Sequence, residues 1–137
     1  KVIMQSFDPS HWILQKVMEY NYNGMCKQEL AERKQFQYPP FTRMIRLILL
    51  HKQSPILESG SRDLVTRLSE RLSGRILGPE YLIIPRVSNY YQQQITLKVE
   101  KTISIAQVKT YLNEKINEWQ LDKNNKSIRV KIDVDPI

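Results

Sequence analysis

Thr42-Arg43-Met44-Ile45-Arg46-Leu47-Ile48-Leu49-Leu50-His51 alternates and is rich in Ile and Leu, as a β-strand should be. Directly behind it, Pro55 to Leu72 sets Leu57, Leu64, Val65, Leu68 and Leu72 on one helical face, and Ser73-Gly74 closes that helix. Ile76-Leu77 and Tyr81 to Val87 read as a second strand interrupted at Gly78-Pro79, and Tyr91 to Glu100 alternates again as a third. Val87 and Tyr91 bracket a hairpin around Ser88-Asn89-Tyr90. Ser104 to Leu121 is a second amphipathic helix with Ile105, Val108, Leu112, Ile116 and Trp119 inward. The plain polar loop Asp122 to Ser127 leads to a closing strand, Ile128 to Val134. The order βαββαβ is the split βαβ plan. An α+β fold of ferredoxin-like type is expected, with a four-stranded antiparallel sheet, both helices on one face and the other face available, although a helical arm upstream could cover part of it.

Upstream of this plan, Val2 to Phe7 reads as a short strand cut from some other sheet. Asp8-Pro9-Ser10-His11 carries helix-start chemistry, with either Asp8 or Ser10 as the cap. The apolar set that follows breaks at Gly24, which predicts two helical pieces, Trp12 to Tyr22 and Met25 to Phe36. Tyr38-Pro39-Pro40-Phe41 ends the second piece, because the residue before a proline is pushed out of the α region and proline has no N–H for the ladder. The expected organisation is a strand tail at 1–7, a helical arm and elbow at 8–41, and the ferredoxin-like domain at 42–137.

Composition narrows the function. The chain has 137 residues, with 21 Lys and Arg against 14 Asp and Glu, for a net charge of +7 and a pI near 9.6. That balance favours a polyanionic partner without fixing one. No apolar run approaches the roughly 18 to 20 residues of a membrane span, and the single cysteine, Cys26, allows no internal disulfide or multi-cysteine zinc site. A soluble protein of a reducing, intracellular compartment is expected. The glycines Gly24, Gly60, Gly74 and Gly78 are scattered, so no glycine-rich phosphate cradle is present. His11 and His51 stand without a cysteine or carboxylate cluster, which makes metal binding or acid–base work a poor reading of either.

Three signatures stand in order along the chain: Glu29-Leu30-Ala31-Glu32-Arg33-Lys34-Gln35-Phe36-Gln37-Tyr38-Pro39-Pro40-Phe41, then Leu77-Gly78-Pro79, then Asp133-Val134-Asp135-Pro136. With them the chain resembles the C-terminal domain of the primosomal replication-restart DNA helicases, the primosomal protein N-prime (PriA) family. The resemblance implies a bacterial, cytoplasmic and nucleoid-associated parent that uses ATP and holds zinc, though no cofactor is expected in this fragment. It implies a 3′-to-5′ helicase that recognises stalled forks and restarts replication by primosome assembly. The implied partners are branched or forked DNA, the tail of the single-stranded DNA-binding protein and other primosome proteins, with no membrane. The strand at 1–7 would then be the tail of the second motor lobe. The family's tail-pocket region falls near Ile105 to Lys109, where this chain does not match the pattern, so no pocket residue is carried over.

Within that frame, Glu29, Arg33, Tyr38, Pro39, Pro40 and Phe41 read as the joint between arm and core, Gly78-Pro79 as a strand interruption, and Asp133 with Asp135 as a salt-bridging or capping pair on one strand face. The best candidate for DNA contact is the hairpin, through Arg86, Tyr90, Tyr91 and Gln92, with Arg43 and Arg46 on the first strand. The family commonly carries arginines where this chain has Ser88, Tyr90 and Gln92, which shifts weight from phosphate contact to base stacking. Arg62, Arg67, Arg71 and Arg75 make a further basic stripe on the first long helix, broken by Asp63 and Glu70. Two other classes fit the chain less well. A stand-alone RNA-binding module would show an aromatic pair on the central strands, and Thr42 to His51 has none. An acyl-phosphate hydrolase would need an arginine-bearing loop after the first strand, and His51-Lys52-Gln53-Ser54-Pro55 has none.

Overall fold

Ile45, Leu47 and Leu49 are fully buried, while Met44, Arg46, Ile48 and Leu50 between them are half-buried, so alternate residues of one strand serve two different faces. The computed structural model describes residues 2–135. Lys1, Pro136 and Ile137 lie outside them, so of the terminal Asp133-Val134-Asp135-Pro136 the first three are described. The chain divides into two compact units, Lys1–Gln37 and Tyr38–Ile137.

In the first unit, α1 spans Trp12–Met18 and α2 spans Tyr22–Gln35. The expected strand at Val2 to Phe7 is absent; among the described residues this segment joins no sheet and is exposed. A lone strand has no neighbour to take its backbone hydrogen bonds. Neither Asp8 nor Ser10 caps α1. His11 does, its Nδ1 accepting from Ile13 N–H at 3.3 Å, while the Asp8 carboxylate accepts from the Ser10 N–H at 3.0 Å and the Ser10 hydroxyl at 2.6 Å. Those two bonds hold the Asp8 carboxyl below its usual range. The helix break falls at Tyr20, with φ +53°, and not at Gly24. Asn21 caps α2 by accepting the Gly24 N–H at 2.9 Å, and a Cβ on Gly24 would stand 2.7 Å from that oxygen. The glycine therefore makes room for the cap.

The second unit is built from β1 (Thr42–His51), α3 (Ser54–Leu72), β2 (Ile76–Val87), β3 (Tyr90–Glu100), α4 (Ile105–Gln120) and β4 (Arg129–Val134). The sheet runs β2-β3-β1-β4, antiparallel at every joint, which is the ferredoxin-like order. The register sets Ile76, Leu97, Ile45 and Val134 in one row on the helix-covered face, and Leu77, Thr96, Arg46 and Asp133 in the adjacent row on the open face.

Leu57, Leu64, Leu68 and Leu72 of α3 and Val108, Leu112, Ile116 and Trp119 of α4 close the core over Ile45, Leu47, Leu49, Ile95, Leu97 and Val99. Each fully buried side chain of this size contributes about 1.5–3 kcal/mol relative to exposure. Trp119 is fully buried, and its indole N–H donates to the Gly60 carbonyl at 3.0 Å. A Cβ on Gly60 would collide with Ile128 Cδ1 and stand 3.2 Å from Trp119 Cζ2, so the glycine lets both side chains pack here. The 122–127 loop is more than a polar connector. Asn125 is buried and donates to the Trp119 carbonyl and to Asp63, both at 3.2 Å, which fixes the end of α4 against α3.

Two features shape the sheet edge. At Gly78 the backbone takes φ +97°, and the ladder shifts register between Leu77 and Glu80. The hairpin is tighter than expected. Val87 pairs with Tyr90 and only Ser88-Asn89 form the turn, both at positive φ, as a two-residue turn of the hand matching strand twist requires.

Candidate nucleic-acid interface

Alternation along β3 separates the two adjacent tyrosines. Tyr91 sits opposite His51 and Arg86 and packs against the helix-side core, where the Arg86 guanidinium lies 5.1 Å from its ring. Arg86 also donates to the Asn89 side chain at 3.2 Å, so this pair braces the hairpin. Tyr90 turns to the open face with Gln92 and Leu50. The sequence-based set therefore divides, with Tyr90, Gln92 and Arg46 on the open face and Arg86 and Tyr91 on the other.

Two cations flank Tyr90. Arg129 lies 4.9 Å and the Lys52 ammonium 5.8 Å from the ring centroid, both within cation–π reach. Arg129 comes from β4 opposite Leu50, and Lys131, two residues on, stands opposite Ile48 on the same face. Two shallow depressions of about 280 and 320 Å³ meet at Tyr90 and Arg129. Among the described residues, neither lining contains an Asp or Glu. Among the described residues, Lys52, Arg129 and Lys131 have no carboxylate within ion-pair distance. Further along this face the Arg46 Nε is buried and, among the described residues, has no hydrogen-bond partner, an arrangement that carries a desolvation cost.

Most of the other arginines already have partners. On α3, Arg62 reaches Glu58 at 3.8 Å, Arg67 reaches Asp63 at 3.1 Å and Arg71 lies over Tyr111 at 5.3 Å; Arg75, expected on the same stripe, falls beyond the end of the helix at Leu72 and binds Glu100 at 2.7 Å. Arg43 faces Asp135 at 3.7 Å, and Asp135 also accepts the Met44 N–H at 3.2 Å, so this carboxylate ties β1 to the end of β4. Asp133 shares the Arg46 row of the open face. Glu29 and Arg33 pair at 2.7 Å within α2. In the second unit the Phe41 N–H donates to the Tyr38 carbonyl at 3.0 Å across Pro39-Pro40, and the Lys98 ammonium lies 4.1 Å from the Tyr38 ring.

His51 is buried between Ser127, 3.0 Å from Nε2, and the Gln53 N–H, 3.0 Å from Nδ1, a bridging position between β1 and the 122–127 loop. Among the described residues no three His, Cys, Asp or Glu side chains gather to hold a metal ion, and no helix is long and apolar enough to cross a membrane. Between the end of α3 and the start of α4, Arg71, Arg75, Ile103, Val108 and Tyr111 line a small depression of about 180 Å³. Sequence reasoning missed Arg129 and Lys131. The alternation Arg129-Val130-Lys131-Ile132 did signal a shared face, but its position beside Tyr90 comes from register.

Fold and surface define a ferredoxin-like domain with an unpaired basic cluster around an aromatic ring at one end of its open face. The chain belongs to the family of the primosomal protein N C-terminal domain, whose family model matches residues 34–137. Among its relatives, the replication restart protein PriA of Synechocystis sp. is 30% identical over 107 residues, covering 77% of this chain and 13% of that protein. The replication restart protein PriA of Thermotoga maritima is 29% identical over 101 residues, 73% of this chain and 13% of that protein. That of Bacillus subtilis is 23% identical over 137 residues, 98% of this chain and 17% of that protein. The chain spans less than a fifth of the length of these three relatives.

Proposed function

We propose that this chain is the DNA- and partner-binding C-terminal domain of a bacterial replication-restart helicase acting in the cytoplasm at the nucleoid. The longer protein would use ATP to move 3′ to 5′, recognise stalled forks and begin primosome assembly; ATP and zinc are assigned to its other parts. The observation that carries the DNA-binding role is the set of Lys52, Arg129 and Lys131 around Tyr90, on the sheet face opposite α3 and α4 and, among the described residues, without carboxylate partners. Unpaired cations are available to phosphate, whereas Arg62, Arg67 and Arg75 would first have to leave their own carboxylates. Arg46 and Gln92 extend the same face, and Arg86 with Tyr91 supports the hairpin from behind. The family resemblance supports a second contact, the acidic tail of the single-stranded DNA-binding protein. The depression at Arg71, Ile103, Val108 and Tyr111 sets one cation without a carboxylate partner beside an apolar wall, which suits such a tail.

Amide chemical-shift mapping of the 137-residue chain with forked DNA tests the assignment. Shifts should concentrate at Leu50 to Gln53, Val87 to Gln92 and Arg129 to Lys131. Shifts confined to the α3 surface would contradict it.

A further inference from the structure

The open-face cluster is more than a phosphate grip. A duplex held by its backbone needs only cations and hydrogen-bond donors, because its bases are stacked away from the protein. Here the cations surround an aromatic ring and an apolar floor of Leu50 and Val87, with the Gln92 amide at its margin. Aromatic and apolar surface beside unpaired cations is the combination that receives an unstacked base. Tyr90 stands at the first residue of β3, and Arg129 and Lys131 sit on β4 with β1 between them, so base and phosphate sites are presented by different strands of one rigid sheet.

We infer that Tyr90 is a stacking platform for one base of a single-stranded segment, with Lys52, Arg129 and Lys131 holding the adjoining phosphates. This rests on the DNA-binding reading above and names the form of DNA that this site takes. Of the two cations near the ring, the Lys52 ammonium is the more distant, at 5.8 Å. It gives way to the incoming base and turns to phosphate. The planar Arg129 guanidinium stays against the ring at 4.9 Å or stacks on the base itself.

The test compares the wild-type 137-residue chain with Tyr90→Ala, Tyr90→Trp and Lys131→Glu. Affinities for a labelled single-stranded oligonucleotide and a blunt duplex are read by fluorescence anisotropy, and stacking by quenching of 2-aminopurine placed in the single strand. Tyr90→Ala should weaken single-strand binding roughly ten- to a hundredfold and abolish the quench. It should change duplex binding less than about threefold, and Tyr90→Trp should restore both single-strand readouts. Lys131→Glu should weaken single-strand binding while leaving a residual quench. Equal losses on single strand and duplex, or no loss with Tyr90→Ala, would overturn the stacking role. If Lys131→Glu still weakened binding in that case, the DNA-binding reading would stand without it. No binding of any DNA by the wild type would overturn both.

Discussion

Gly78 has φ +97°, and a Cβ there would lie 2.7 Å from the Gln94 carbonyl oxygen, a backbone atom that cannot step aside. Gly78→Ala should therefore cost about 2 kcal/mol or more in urea unfolding, combining backbone strain with a shift of β2 against β3; an unchanged midpoint would refute this reading. Among the ionisable groups, Glu58 accepts the Tyr81 hydroxyl at 2.6 Å and the Ser54 hydroxyl at 3.0 Å, and these bonds hold its carboxyl below the usual range. The Arg75 guanidinium at 2.7 Å does the same for Glu100. A depressed folded pKa stabilises above the unfolded carboxylate value of about 4.3, and that contribution is lost as pH falls through the folded values. Melting temperature should decline on acidification from about pH 6 to about pH 3, and Glu58→Gln with Glu100→Gln should flatten the decline. Both carboxylates are partly exposed, so solvent limits the size of the effect. A double variant that declines as steeply as the parent would show that other groups carry it.

At the scale of elements, the Ser88-Asn89 turn needs left-handed backbone at both positions, and serine fits it less well than asparagine. Ser88→Asn should raise stability by about 0.5 kcal/mol, roughly 2–4 °C in Tm, while Ser88→Val should lower it. The reverse order in thermal melts would mean that the turn is not what sets the hairpin. The α3 stripe illustrates a different limit of reading from sequence. Its arginine spacing was visible, but Glu58 and Asp63 one turn away, and Glu100 from β3, satisfy three of the four. Replacing Arg62 and Arg67 with Gln should change fork affinity less than about threefold in anisotropy titrations. A tenfold loss would return α3 to the binding surface.

Across the whole molecule, what the sequence carried plainly was periodicity. The alternation of β1 and the apolar faces of α3 and α4 gave the βαββαβ order, and the sheet follows it. Local competition was harder to see. Asn21 and Gly24 cooperate in one cap where glycine alone suggested a break, and His11 takes the cap position while Asp8 is held by Ser10. The site was half legible. Tyr90, Gln92 and Arg46 are legible as hairpin and strand residues, but their union with Arg129 and Lys131, distant in sequence, depends on β4 pairing with β1 in one particular register. That union also carries the central claim, that the open-face cations contact phosphate. Its most direct test is the salt dependence of fork binding between about 50 and 200 mM salt, comparing wild type with Arg129→Ala/Lys131→Ala. Two lost phosphate contacts should lower the slope of log K against log salt by about 2. An identical slope in a folded double variant would contradict the account.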